Sequence, residues 1–340
     1  MTFQPSTYQQ DIFDWVQSTQ DKSENLVVEA VAGSGKTTTG LEMLKYVSEE
    51  MAIVFLAFNR HIAQELQSKV PDHVWTKTYH ALGLQIIKDN LGNVKVDSNG
   101  KKSKRLLERY LSKEYDRALF YPSKQLLGLL KGNLLEPTDQ NIQDLSEYHG
   151  IDLNHSASTV HRAVKGAFVD GLDDTSEIDF DDMCHVPAYL NLNPRRYDFL
   201  FVDELQDTNK VQSSLVEMSI KDTGRIVGVG DTAQSIYAFR GADSEAIPSF
   251  INRFDANTLP LSISYRNPLR IVELVNARFP EIHFEAWENA KDGTVDSVKY
   301  SQALVDFEPG DMILCRTNAP LVAPASVSYT HLTLPTILLV

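Results

Sequence analysis

The sequence predicts an α/β protein built on a parallel sheet, with a mostly helical segment let into it. Apolar, β-branched runs alternate with helical patterns early in the chain and again after residue 197, and a long polar stretch separates the two alternating regions. A glycine-rich turn also joins the first apolar run to the first helical one.

Leu26 to Ala30 reads as the first strand, followed by a helix from Lys36 to about Glu49, a strand from Ala52 to Ala57, and a helix from about His61 to Lys69. From about Leu91 to Glu177 the chain is polar and mostly helical, with breaks at Asn99-Gly100 and Glu136-Pro137, as expected of an inserted subdomain. The rhythm resumes with Asp198 to Asp203 as a buried strand, Val211 to Ile220 as a helix, and Arg225 to Gly230 and Leu259 to Ile263 as strands. After Arg266 the pattern restarts, and Asp311 to Arg316 is expected to open a further domain. No internal repeat is visible.

With 340 residues, 42% of them hydrophobic, the chain has room for two or three folded units. It shows no signal sequence and no apolar run long enough to cross a bilayer, so it reads as soluble and cytoplasmic. Cys184 and Cys315 lack the spacing of a zinc ribbon or disulfide framework, and both are expected to be buried, inert thiols. A net charge of -14 excludes binding to nucleic acid through bulk charge, so any such contact must be local. One basic run departs from the acidic background: Lys95, Lys101, Lys102, Lys104, Arg105, Arg109, Lys113 and Arg117 against four acids. It reads either as a phosphate-facing patch or as a solvated helix face. From Ala319 to Val340 there is no charged side chain, and Val327 to Thr336 resembles the conceptual translation of a transposon-end sequencing adapter. Residues 327–340 therefore read as a non-native tail, with the native sequence departing near Ser326.

The turn after the first strand, Val31-Ala-Gly-Ser-Gly-Lys-Thr37, has the composition of a phosphate loop, with Ala30 where a first glycine is usual. Gly33 and Gly35 let successive N–H groups surround phosphates at a helix N-terminus, Lys36 adds a point charge, and the Thr37 hydroxyl can ligate Mg²⁺. The apolar strand Phe199 to Val202 ends abruptly in Asp203 and Glu204, at the carboxyl edge where open α/β sheets bind ligands. Asp203 suits a Mg²⁺ ligand and Glu204 a base for an attacking water.

These segments, in this order and spacing, resemble the UvrD-like superfamily I DNA helicases over Gln9 to Arg316. Gln9 resembles the family's adenine-reading glutamine and Ala30 to Thr37 its motif I, with Ala32, Gly33, Ser34, Gly35, Lys36, Thr37 and Thr38 around the nucleotide. Phe58-Asn59-Arg60 looks like motif Ia, Thr78-Tyr79-His80 like the Thr-x-His element, and Asp203-Glu-Leu-Gln-Asp207 like motif II. Gly230 to Ala242 is similar to motif III: Gln234 would sense the γ-phosphate, while Tyr237, Phe239 and Arg240 would meet DNA. Leu261 to Asn267 resembles motif IV, in which Tyr265 stacks on the adenine and Arg266 reaches the γ-phosphate from across the cleft.

The resemblance implies a RecA-like P-loop NTPase fold. Residues 1–90 and 178–265 would form the first motor domain, 91–177 an inserted helical subdomain, and 266–326 the start of a second RecA-like domain. It further implies ATP and Mg²⁺ as cofactors, with single-stranded DNA and single-strand/duplex junctions as partners. The expected function is a three-prime to five-prime DNA translocase and helicase. The motor part of a helicase-nuclease is one alternative, and an ATP- and DNA-binding fragment that unwinds nothing is another. The residue types agree with such a motor, because stacking on Phe58, Tyr237 or Phe239 is blind to base sequence.

Overall fold

The computed structural model describes residues 3–19, 22–112, 117–153, 156–234, 245–299, 312–315 and 319–322. Helix α1 (Thr7–Ser18) starts at a capping box, in which Ser6 Oγ accepts from the Gln9 backbone and the Gln9 side chain accepts from Ser6 N–H. Strand β1 (Asn25–Ala30) leads through the glycine-rich turn into α2 (Lys36–Met43), and then come β2 (Ile53–Ala57), α3 (Arg60–Gln67), β3 (Val74–Thr78) and α4 (Tyr79–Leu91). Helix α2 is shorter than the expected span to Glu49. Three consecutive threonines and Gly40 are weak helix formers, so the chain tightens into a 3₁₀ turn at Leu44–Tyr46 and becomes extended at Val47. Neither β3 nor α4 stood out in the sequence; in β3 one buried residue, Val74, followed by four half-buried ones gives too little alternation to register.

The helical insert runs from β4 (Lys95–Val96) through α5 (Lys101–Leu107), α6 (Phe120–Asn133), α7 (Asp139–Tyr148) and α8 (Ala157–Asp173) to β5 (Glu177–Ile178). β4 and β5 pair with each other, closing the insert at its base. It has a core of its own, in which Leu106, Leu126, Leu130, Ile142, Val164 and Phe168 interlock. The chain then adds α9 (Phe180–Tyr189), β6 (Tyr197–Val202), α10 (Lys210–Ser219), β7 (Ile220–Gly230), α11 (Ala246–Phe254) and β8 (Ala256–Leu261). A short pair, β9 (Ile263–Ser264) and β10 (Glu285–Ala286), flanks α12 (Leu269–Arg278).

Among the described residues the main sheet has six strands in the order β3-β2-β6-β7-β1-β8, every pairing parallel. Side-chain alternation divides its faces. Leu26, Val28, Phe55, Phe199 and Phe201 pack under α1 to α3, whereas Val27, Leu56, Leu200 and Val202 pack under α4, α10 and α11. Because β6, β7 and β1 are neighbours, the turns leaving their carboxyl ends converge. Those turns are the acidic segment, the Asp231 segment and the glycine-rich loop.

The basic run is mostly a solvated face, one of its two expected readings: Lys95 and Arg105 pair with Glu177 (2.6 and 2.7 Å) and Arg109 with Asp170 (2.8 Å) while staying exposed, and the exception is Lys102, which is fully buried. Lys113 lies outside the described residues. Two expectations need correction. Cys184 is buried as expected, but Cys315 is exposed. Finally, Met312 to Cys315 form no strand, since no described segment offers them a ladder partner; Asp311, Arg316 and residues 323–340 lie outside the described set. Among the described residues no helix is long and apolar enough to cross a membrane.

Candidate functional site

The glycine-rich loop is built to receive an anion. Gly33 and Gly35 take φ of +76° and +82°, the left-handed region that favours glycine, and α2 begins at Gly35 with no side-chain cap on its free N–H groups. Among the described residues, Ser34 Oγ is buried without a partner. Gln9 is buried beside the loop, where its Nε2 donates to Thr39 Oγ1 at 2.9 Å. Lys36 Nζ reaches Glu204 Oε2 at 2.9 Å, at the end of β6. Thr37 is half-buried and Thr38 exposed on the first turn of the same helix.

Glu204 has φ of +52°, a strained conformation for a residue with a Cβ. A bridge holds it there. Gln206 Nε2 donates to Glu204 Oε2 (2.8 Å), while Gln206 Oε1 accepts from Asp231 N–H (2.9 Å) at the end of β7. Gln234 continues the chain of bonds, since its Nε2 donates to the Asp231 carboxylate. Burial, then the Glu204 charge, raise the Asp203 carboxyl to about 6 against the pull of Lys36, and the same causes raise Asp207 to about 6. Both displacements have one origin, burial beside the Glu204 charge.

The segment after β8 docks on the loop directly. Ser264 Oγ and Asn267 Nδ2 donate to Ala32 O (2.8 and 3.1 Å), and Tyr265 N–H donates to Gly33 O (2.9 Å). A Cβ at Gly33 would stand 2.6 Å from Arg266 Cβ, so only glycine allows that approach. The Arg266 backbone is thus fixed at the loop's edge, and its side chain is exposed. Tyr265, 40% exposed, faces Trp287 at 6.0 Å.

A groove of about 790 Å³ opens beside this site, and Phe58, Asn59, Arg60, Thr78 and His80 all line it. They arrive from the carboxyl ends of β2 and β3. Two of them also start helices: Asn59 Oδ1 accepts from Ile62 N–H (2.9 Å) and Thr78 Oγ1 from Ala81 N–H (3.2 Å). Sequence reasoning missed Phe180, whose ring stacks on His80 at 3.8 Å in the same groove and stays 59% exposed. An aromatic set between aspartates at a helix start, Asp179-Phe-Asp-Asp182, was the available signal. Burial lowers His80 to about 4, leaving a neutral ring for stacking. Gln206 and Asp207 were also missed; Asp207 follows the nucleotide-side carboxylates and lines the groove as well. Tyr237, Phe239 and Arg240 lie outside the described residues.

The model of the UvrD/REP helicase N-terminal domain matches residues 14–255. The chain belongs to that family. Among curated relatives, the ATP-dependent DNA helicase PcrA of Staphylococcus aureus is 26% identical over 280 residues, covering 74% of this chain and 37% of the relative. PcrA of Staphylococcus epidermidis is 26% identical over 326 residues, 85% of this chain and 43% of the relative. The chain spans about two fifths of the length of these relatives. A solved structure of VirB4 of Thermoanaerobacter pseudethanolicus aligns with 79% of this chain and 84% of its own at 13% identity, with a TM-score of only 0.26. The UvrD/REP match takes in the glycine-rich loop, the Asp203–Asp207 turn, the Asp231 segment and the groove. Motif IV and Arg266 lie beyond it.

Proposed function

We propose that this chain is the front portion of an ATP-driven motor that moves three-prime to five-prime along single-stranded DNA and opens duplex at junctions, working in the cytoplasm. The observation that carries the proposal is the bonded run Lys36–Glu204–Gln206–Asp231–Gln234, which ties the anion cradle to the segment expected to touch DNA. Asp207 sets the same short turn against the groove wall.

The cradle fits a triphosphate. Gly33, Gly35 and the first turn of α2 present backbone N–H groups, and among the described residues Ser34 Oγ lacks a partner and Lys36 is held by a single carboxylate that a phosphate can replace. Gln9 and Tyr265 are the residues for the adenine. Thr37 and Asp203 would hold Mg²⁺, which when bound neutralises charge on the phosphates. Among the described residues no cluster of three or more His, Cys, Asp or Glu could hold a metal by itself, so the ligands fall to a hydroxyl, one carboxylate and the phosphates. Glu204, its carboxylate fixed by Gln206, accepts the proton of the attacking water. Gln234 responds to the γ-phosphate, and Arg266 adds positive charge beside the loop, where charge develops in the transition state. On the DNA side, Phe58, His80 and Phe180 offer ring faces, and Asn59, Arg60 and Thr78 offer donors to phosphates.

Strand displacement tests the proposal. With the full-length protein, ATP and Mg²⁺, a duplex with a three-prime single-stranded tail is opened and one with a five-prime tail is not. Equal opening of both, or opening without ATP, would overturn it.

A further inference from the structure

We propose that a second cavity, between α6 of the insert and the start of α10, takes the next stretch of the same single strand, so that the insert itself grips DNA. The inference rests on the groove binding single-stranded DNA. The cavity measures about 350 Å³, the small end of the range for ligand sites, and shares His80, Asp181, Asn209 and Gln212 with the groove. A strand leaving Phe180 therefore enters it without crossing a ridge.

Its far wall is one face of α6. Tyr121, Lys124, Gln125 and Gly128 follow at helical spacing and all line the cavity, while Leu126, Leu127 and Leu130 turn into the insert core. Tyr121 is 77% exposed yet stands edge-on to Phe120 at 5.5 Å, and Phe120 packs against the core. Tyr121 thus brings an exposed ring, steadied on one side, to the cavity wall. Lys124 lies one turn on, where a phosphate linked to a base stacked on Tyr121 would fall, and the amides of Gln125, Asn209 and Gln212 suit base edges of any identity.

Two glycines leave this wall bare of side chains. A Cβ at Gly128 would stand in ordinary contact with Asp181 Oδ2 at 3.5 Å, and one at Gly132 would stand 3.3 Å from Asn209 Nδ2. Helix interiors disfavour glycine, yet α6 has two on this face. The width is also fixed: Lys131 Nζ on α6 donates to Asp182 Oδ1 on α9 at 2.7 Å, both buried. The cavity thus has a set gap, an exposed ring, a cation and amides, all continuous with a groove of the same chemistry.

The test is equilibrium binding of oligothymidylates of increasing length to the wild type, Tyr121→Ala, Gly128→Met and Phe180→Ala, with melting curves to confirm folding. Tyr121 is exposed, so its replacement leaves the fold intact, and Gly128→Met fills the cavity from a position with room for a Cβ. Both variants are expected to bind the shortest competent strand like wild type. On longer strands they should lose roughly five-fold or more, the lower end of what one base–aromatic stack brings. If Phe180→Ala weakens every length while the other two match wild type throughout, the extension is wrong and the groove stands. If wild type binds no length, both fall together.

Discussion

Lys36 and Lys102 are each held against a carboxylate, and among the described residues they differ in how many acceptors each ammonium has. Among the described residues Lys36 has one acceptor, Glu204, at the start of a helix whose first turn has no side-chain cap, and its side chain keeps 12% exposure. Lys102, at the base of the insert, is 0% exposed and donates to three acceptors: Gly171 O (2.9 Å), Asp174 O (2.9 Å) and Asp182 Oδ2 (2.7 Å). Asp182 takes Lys131 on its other oxygen (2.7 Å). Burial opposes its ionisation, but the two lysines outweigh that and hold the carboxyl below its ordinary range. An ammonium has three donors. When all three are satisfied by fixed groups the lysine is structural; when one carboxylate holds it beside an uncapped helix start, it can be exchanged to an anionic ligand.

The largest separation is expected from the lysines themselves. Lys36→Ala should cut DNA-dependent ATP hydrolysis about a hundredfold or more, because it removes charge stabilisation from a preorganised site, while its melting temperature stays near that of wild type. Lys102→Met should do the reverse in its primary effect, destabilising the fold by about 3 to 5 kcal/mol by leaving carbonyls and a carboxylate short of a partner. Chemical denaturation of both variants beside steady-state turnover per folded molecule checks this. Equal loss of stability in the two would erase the distinction.

Next in size is Phe180→Ala. Phe180 sits between Asp179 and Asp182, which the buried lysines anchor, so the network presents the ring to the groove. Single-strand affinity should fall roughly five-fold or more, while the slope of log affinity against log salt is unchanged, since stacking and not phosphate charge is removed. A flattened slope would mean that the substitution had disturbed a phosphate contact.

His185, behind the same network, sharpens the comparison through pH. It is fully buried with neither ring nitrogen bonded, and burial, with Lys131 adding to it, lowers the imidazole to about 3. Below about pH 6.5 the unfolded chain binds a proton that the folded chain refuses, so stability is lost as pH falls from there toward 3. His185→Phe lacks that loss, and the difference in unfolding free energy should shift in its favour by about 2 kcal/mol between pH 7.5 and pH 5. A difference independent of pH would contradict this. The smallest effect is expected from Lys104→Gln with Arg105→Gln. Those charges already meet Glu108 and Glu177, so the salt slope of DNA binding should change by less than about one phosphate's worth.

The same contrast explains what could be read in the sequence. The cradle and Asp203-Glu204 were legible because each hangs on the end of an apolar strand, so position along the chain gives position in space, whereas Phe58 to Arg60 came from the resemblance to the helicase motifs alone. The fate of Lys102 was not legible. Its acceptors lie 69 to 80 residues away, and charge along a helix says nothing about which carboxylates the fold brings to it. Gln206 was within the motif, but its bridging role depends on β7 lying beside β6, which only the sheet order supplies. Phe180 became visible as a groove residue once α9 was seen to start at β3's helix, with its ring on His80.

The most direct measurement is the initial rate of ATP hydrolysis as single-stranded DNA is titrated into the wild type and Glu204→Gln. The rate should rise with DNA to saturation in the wild type and stay about a hundredfold lower in the variant at every DNA concentration, with nucleotide still bound. A wild-type rate indifferent to DNA, or a variant that keeps pace with wild type, would contradict the motor.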